Sequence, residues 1–334
     1  MRAAVCREYG PPEAVTVEEL DTPAPGPGAV RVRVRAAAVN FPDVLIVANT
    51  YQLSCPVPFV PGSEFAGVIE ELGEGVEGRV WPGTSRPLAV GDRANGTVFV
   101  GAFGEQVVCA AASLRLIPDG VDDRSAAAFP VAHRTAYHVL RSMARVEPGE
   151  RVVVLGAGGG VGLAAVQLAT LLGAEVTAVA SSDEKLQAAA ANGATTLINH
   201  KGGNLRQALR AAHPKGVDVV VDPVGGDLSE AALRALRFDG RFVVVGFAAG
   251  AIPRIPLNLV LLKGVHVMGF QIRDFDAHRP ADLARDQREL AELFASGRVR
   301  PHLGAVFGLD DAAGALRYVA DGKAIGKIIL DVAP

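Results

Sequence analysis

An all-apolar strand, Val152-Val153-Val154-Leu155, runs directly into a glycine cluster, GAGGGVG (Gly156 to Gly162), that opens an apolar helix. A turn without side chains lets the backbone approach phosphate oxygens, and the helix N-terminus offers unpaired N–H groups and a positive dipole end. The junction is built to hold a pyrophosphate. The string departs from strict G-x-G-x-x-G, because the phase that matches the helix start is Ala157-x-Gly159-x-x-Gly162, with Gly160 as an additional glycine. The next strand ends in Ser181-Ser182-Asp183-Glu184-Lys185, where NAD sites place a carboxylate for the ribose 2′-hydroxyl. Hydroxyls with an ammonium one helical turn on suit a 2′-phosphate instead, which favours NADPH. Asp183 offers two other readings, a ribose ligand or a carboxylate that complements the helix dipole.

Positioning such a turn takes a parallel sheet. Apolar strands at 152–155, 175–180, 217–221 and 242–246 alternate with helical patterns at 161–172 and 183–192, which predicts a doubly wound α/β layer. Residues 1 to about 120 read differently, as short β segments (29–39, 67–70, 98–100) punctuated by glycine and proline. The stretch 73–91 reads as a surface loop, and Gly91-Asp92-Arg93 as a turn into a strand. Helical spacing begins near Pro118. After about residue 260 the pattern is mixed, with a helix at 281–296 and a terminal strand at 327–332.

The chain of 334 residues suggests two domains, and 49% hydrophobic with 21% charged residues excludes intrinsic disorder. With 33 Lys and Arg against 36 Asp and Glu, a net charge of -3 gives no global attraction to nucleic acid or anionic membranes. No signal-peptide core and no run near the roughly 18 apolar residues of a membrane span is present, so the expectation is a soluble, cytoplasmic protein. Cys6, Cys55 and Cys109 are odd in number and never spaced C-x-x-C, which predicts reduced, mostly buried thiols.

Over nearly its whole length the chain resembles the zinc-independent quinone oxidoreductase branch, zeta-crystallin included, of the medium-chain dehydrogenase/reductase superfamily. The resemblance is carried by NFPDVLI (40–46), PFVPGSEFAG (58–67), GDR (91–93), the run 126–140, GAGGGVG (156–162), SSDEK (181–185), LINH (197–200), FVVVGFAAG (242–250) and GKIIL (326–330). It implies a discontinuous GroES-like irregular β-barrel catalytic domain (1–120 and 261–334) around a Rossmann NADPH-binding domain (121–260), with the active site between them. It further implies Gly158, Gly159, Gly160 and Val161 near the pyrophosphate, and Ser181, Lys185 and His200 around the 2′-phosphate. Thr135, Gly246, Phe247 and Phe270 fall in stretches that approach the nicotinamide half in relatives. Relatives often dimerise through edge strands of the nucleotide domain, which fits the apolar stretch 257–267.

Zinc alcohol dehydrogenases of the superfamily carry a cysteine where this chain has Asn40 and a histidine where it has Ser63, so no metal is expected. His133 and His138, spaced i, i+5, read as packing or capping groups. Without a Lewis acid the acceptor must be electrophilic by itself, as quinones and conjugated enones are. Tyr51 is the expected catalytic residue, stacking or donating a proton, against the alternative that it anchors the loop before Pro56. Asn40 orients substrate or nicotinamide, or caps the turn before Phe41-Pro42. Arg134, larger than its usual counterpart beside Thr135, alters the pocket. The rival activity is enoyl-CoA or enoyl-thioester reduction, and a rival of another class is a non-catalytic NADPH sensor or RNA-binding protein.

Overall fold

The computed structural model describes residues 1–332. Its strands are β1 (Arg2–Cys6), β2 (Val15–Glu19), β3 (Ala29–Val39), β4 (Glu64–Leu72), β5 (Arg93–Thr97), β6 (Gln106–Ala110), β7 (Leu114–Leu116), β8 (Arg151–Leu155), β9 (Glu175–Ala180), β10 (Thr196–Asn199), β11 (Val217–Asp222), β12 (Leu236–Val244), β13 (His266–Gly269), β14 (Leu303–Gly308) and β15 (Lys327–Asp331). The helices are α1 (Phe41–Val47), α2 (Asp123–Ala128), α3 (Pro130–Tyr137), α4 (Gly160–Leu171), α5 (Asp183–Ala191), α6 (Leu205–Ala212), α7 (Asp227–Ala235), α8 (Leu257–Lys263), α9 (Ile272–His278), α10 (Pro280–Ala295) and α11 (Ala312–Ala320).

Two compact units result, Met1–Val131 with the segment from Arg300, and Ala132–Val299. The first holds the β1–β2 ribbon and a seven-stranded sheet in the order β14-β15-β3-β4-β5-β7, with β6 also on β3. Strand β3 shows why it folds this way: Val30, Val32 and Val34 are fully buried, while Arg31 and Arg33 turn outward to Glu70 and Glu71 of β4. The expected strand at 98–100 is not one: β5 ends at Thr97, Val98 N–H makes one more bond in the same register, to Ser63 O, and residues 99–100 bend away. Nor is 73–91 merely a surface loop. Val76, Trp81 and Leu88 enter the core, because Asp92 takes the Trp81 indole N–H at 2.9 Å and the Ala89 N–H at 3.0 Å and folds the loop inward.

The second unit is a six-stranded parallel sheet ordered β10-β9-β8-β11-β12-β13. Its central strands β8 and β11 are buried along nearly their whole length, as a sheet covered on both faces requires. The sequence boundary at 260/261 lies too early: β13 pairs with β12, so residues 261–299 complete this sheet and its cover. Cys6 and Cys109 are buried and Cys55 is half-buried, all as free thiols.

Candidate active site

Strand order in the parallel sheet reverses between β8 and β11, and a crevice at the carboxyl ends of such strands is where doubly wound sheets hold ligands. The glycine turn leaves β8 at this point. Gly156 adopts φ +60°, so it performs the tight turn one residue ahead of the phase read from sequence, and Ala157, fully buried, packs inward. Gly159 caps α4 in an extended conformation, which leaves the amides of Gly160 and Val161 in the helix's first turn. A methyl at Gly162 would stand 2.1 Å from the Gly156 carbonyl oxygen, so helix and turn touch only because Gly162 has no side chain. A methyl at Gly158 would meet the Lys185 side chain.

Lys185 is thus brought beside the turn from the next strand's tip. Ser182 caps α5, its Oγ accepting the Lys185 N–H, and Lys185 Nζ lies 3.4 Å from Ser181 Oγ. Because β10 pairs in parallel with β9, with Asn199 opposite Ala180, His200 emerges next to Ser181. Burial and the neighbouring Lys201 hold the Lys185 ammonium below its usual pKa, while burial, Lys201 and Lys185 do the same to His200. Lys185 and Lys201 repel one another and oppose a charge on His200, and a phosphate would relieve both effects. Asp183, at the start of α5, is engaged by Asn199 Nδ2 at 2.9 Å and also sits where it complements the helix dipole.

Gly246, Phe247 and Phe270 share the same carboxyl edge, following β12 and β13. Phe270 N–H bonds Val244 O at 2.9 Å, and its ring meets Phe275 at 5.5 Å and His138 at 6.3 Å. His138 is buried, with Nδ1 2.8 Å from Asp286, and so has the packing role read for it. Thr135 and His133 are buried on α3, and Arg134 reaches Asp276 at 3.1 Å. One organiser escaped the sequence reading: Asp222 ends β11 and accepts the N–H groups of Val224 and Gly225 and the Ser229 hydroxyl, tying the crevice loop down. Its signal was an Asp-Pro pair at a strand end followed by two glycines.

In the first unit Asn40 precedes α1, and its own N–H donates to Asp43 Oδ2 at 2.7 Å, which is the turn-capping reading. Its amide is committed inward. Oδ1 accepts from Lys327 Nζ at 2.6 Å, and Nδ2 donates to Glu64 Oε1 at 2.9 Å and Ser63 Oγ at 3.3 Å. Glu64 is fully buried, holds Lys327 Nζ on the same oxygen and takes the Val131 N–H on the other. Tyr51, half-buried in the loop after α1, packs against the barrel core, and its hydroxyl accepts from Gln52 Nε2 at 3.5 Å. Sequence reasoning missed the Lys327–Glu64 pair, although a lysine opening the apolar strand GKIIL and a glutamate inside GSEFAG were its signals.

Two family models match: the alcohol dehydrogenase GroES-like domain over residues 26–119 and the zinc-binding dehydrogenase over residues 160–289. Quinone oxidoreductase-like protein 2 of Bos taurus is 38% identical over 333 residues, covering 99% of this chain and 92% of the relative. The Escherichia coli quinone oxidoreductase complexed with NADPH superposes with a TM-score of 0.90 at 27% identity, covering 99% of this chain and 100% of that one. Pseudomonas syringae pv. Tomato DC3000 quinone oxidoreductase gives a TM-score of 0.88 at 29% identity over 99% of both chains. The fold and these likenesses define a medium-chain dehydrogenase/reductase. Within that superfamily the chain belongs to the quinone oxidoreductase branch.

The second family model's description raises the question of zinc, and the groups around Asn40 do not fit it. The Asn40 carbonyl oxygen is already taken by an ammonium, the Ser63 hydroxyl is neutral, and Lys327 sets a positive charge where a cation would bind. Among the described residues no three His, Cys, Asp or Glu side chains group in a metal-holding arrangement.

Proposed function

We propose that the protein is an NADPH-dependent, zinc-free reductase that passes hydride from nicotinamide C4 to a quinone or an α,β-unsaturated carbonyl. The observation that carries this reading is the basic group of Lys185, His200 and Lys201 beside Ser181, at the strand tip where an NAD enzyme needs a carboxylate. When bound, NADPH supplies the hydride. Gly158, Gly159, Gly160 and Val161 cradle its pyrophosphate, Ser181, Lys185 and His200 hold the 2′-phosphate, and Thr135, Gly246, Phe247 and Phe270 shape the nicotinamide pocket. The likeness to a quinone oxidoreductase solved with NADPH supports the same assignment.

With an ammonium at the zinc position, the acceptor has no metal to polarise it and must delocalise the arriving charge itself. Tyr51 stacks on that acceptor, and Asn40 fixes the start of the helix that leads to Tyr51. A cytoplasmic homodimer fits the second unit, where Phe238, Leu257, Leu261 and Leu262 are each more than three-quarters exposed beside the edge strand β13. No helix among the described residues is long and apolar enough to cross a membrane.

The test is oxidation of NADPH and NADH by purified protein, with a benzoquinone and crotonyl-CoA offered in parallel. NADPH-selective turnover with the quinone is the expected result. Faster turnover with crotonyl-CoA moves the assignment to enoyl-thioester reduction, and a preference for NADH removes the 2′-phosphate site.

A further inference from the structure

Between α6, α7 and the loop that follows β12, the second unit forms an open cavity of about 510 Å³. It meets the 2′-phosphate group only at His200, and none of Gly158 to Val161, Ser181 or Lys185 lines it. The volume lies within the roughly 300–1,000 Å³ of small-molecule pockets and is far larger than a bare oxyanion needs. Its walls are held before any ligand arrives. Gly226 N–H donates to Ala251 O at 3.0 Å and Ala249 N–H to Val224 O at 2.9 Å, which ties the loop after β12 to the start of α7. On the other side Asn204 caps α6, its side chain accepting the Gln207 N–H at 3.1 Å.

Positive charge collects in this cavity. Arg206 lies in the first turn of α6, Arg234 in the last turn of α7, and Arg254 on the loop. Glu230 takes Arg234 in an i, i+4 ion pair at 2.7 Å, whereas Arg206 and Arg254 have no carboxylate partner among the described residues. The other carboxylate of the cavity, Asp227, is exposed in the first turn of α7. Lys263 of α8 adds to the crowding: burial holds its ammonium below its usual pKa, and Arg234 and Arg206 push it the same way. Leu205, Leu228, Ala231, Ile252 and Pro253 give the cavity an apolar side, and a ligand lying on it would take Ile252, 72% exposed, out of water. We propose that this cavity is a second ligand site of the unit and takes a nucleoside monophosphate, its phosphate held by Arg206 and Arg254 and its base laid on the apolar side. Unpaired guanidiniums recognise a phosphate through forked N–H groups, and a sugar phosphate without a base would leave the apolar side uncovered. Such a site requires no particular hydride acceptor, so it stands apart from the reductase reading.

Isothermal titration calorimetry on the full chain saturated with NADPH tests this, with 5′-AMP, ribose 5-phosphate and adenosine as probes. AMP is expected to bind with NADPH in place, and about tenfold more tightly than either fragment. Arg206→Ser and Arg254→Ser should each weaken AMP about tenfold, the weight of one charge-assisted bond, and leave NADPH affinity unchanged. Both side chains are exposed, so the fold is not at stake. Ile252→Ser should weaken AMP but not ribose 5-phosphate. Competition between AMP and NADPH would assign the cavity to the cofactor's own adenosine end and overturn the proposal. AMP that fails to bind, that is indifferent to both arginine substitutions, or that binds no better than ribose 5-phosphate overturns it as well. If the chain binds no NADPH, the cofactor reading fails, and the same titration of the free protein and its arginine variants still decides what the cavity holds.

Discussion

His200 holds its proton more weakly than a free imidazole, because burial, Lys201 and Lys185 all oppose its charge. A phosphate placed beside it reverses that balance and raises its pKa. Binding that raises a pKa is strongest where the group is already protonated, and it weakens as pH climbs from the free value, below about 6.5, through the bound one. NADPH affinity in fluorescence titrations is therefore expected to fall across that window while NADH affinity stays flat, and His200→Gln should erase the difference. Parallel profiles for the two cofactors would take His200 out of the site. Lys185→Ala should cost NADPH about tenfold to a hundredfold in affinity, the weight of a charge-assisted phosphate bond, with NADH nearly unaffected. Ser181 and Lys185 stand out in the sequence because a strand tip is a local feature, whereas His200 is singled out only by the resemblance; the structure brings Lys185 Nζ to Ser181 Oγ. The commitment of the Asn40 amide to Lys327 and Glu64 does not stand out, since those three residues come from distant parts of the chain.

At the scale of elements, the β8–α4 junction separates two duties that a glycine run leaves merged in the sequence. Gly162 permits contact, for its Cβ would lie 2.1 Å from one backbone atom and 2.8 Å from another, both in the turn. Gly162→Ala must push the helix away and is expected to cost about 1–3 kcal/mol of stability, seen as a lowered Tm. Gly159 is different: its φ of -84° suits alanine, and the nearest atom to an added methyl is 3.5 Å away. Gly159→Ala should keep its Tm and lose NADPH affinity, because the methyl projects where a phosphate must approach. Equal loss of Tm in both variants would contradict this division. The stretch 98–100 has apolar valines, but the chain bends at residues 99–100 once Val98 has made its bond to Ser63, and where a strand stops finding a partner has no local signature.

For the whole molecule, the apolar face formed by α8 and the start of β12 is the feature that solvent does not explain. Leu257 and Leu261 are each 80% exposed, and Phe238 and Leu262 each 77%. We propose that a second copy of the chain covers this face, which would remove the free edge of β13 at the same time. Light scattering at micromolar concentration is expected to give a dimer mass and Leu261→Glu a monomer, whereas a native monomer would sink the idea. The stretch 257–267 stands out in the sequence as an apolar run. That its leucines point outward from a helix, and that Leu259 alone turns in, was decided by the packing of α8 on its sheet.

What the sequence determined by itself is what neighbouring residues settle among themselves. The strand-turn-helix at Gly156, the serine cap and lysine that follow β9, the alternation that makes a parallel sheet, and the motifs that mark the superfamily are of this kind. The tertiary structure alone decided which distant groups share a buried space. It placed residues 261–299 with the nucleotide-binding sheet, because β13 finds its partner in β12. It folded Trp81 inward onto Asp92. It also set Lys327 against Glu64, Asn40 and the neighbourhood of Asp43, where removal from water makes each charge depend on partners far away in the chain.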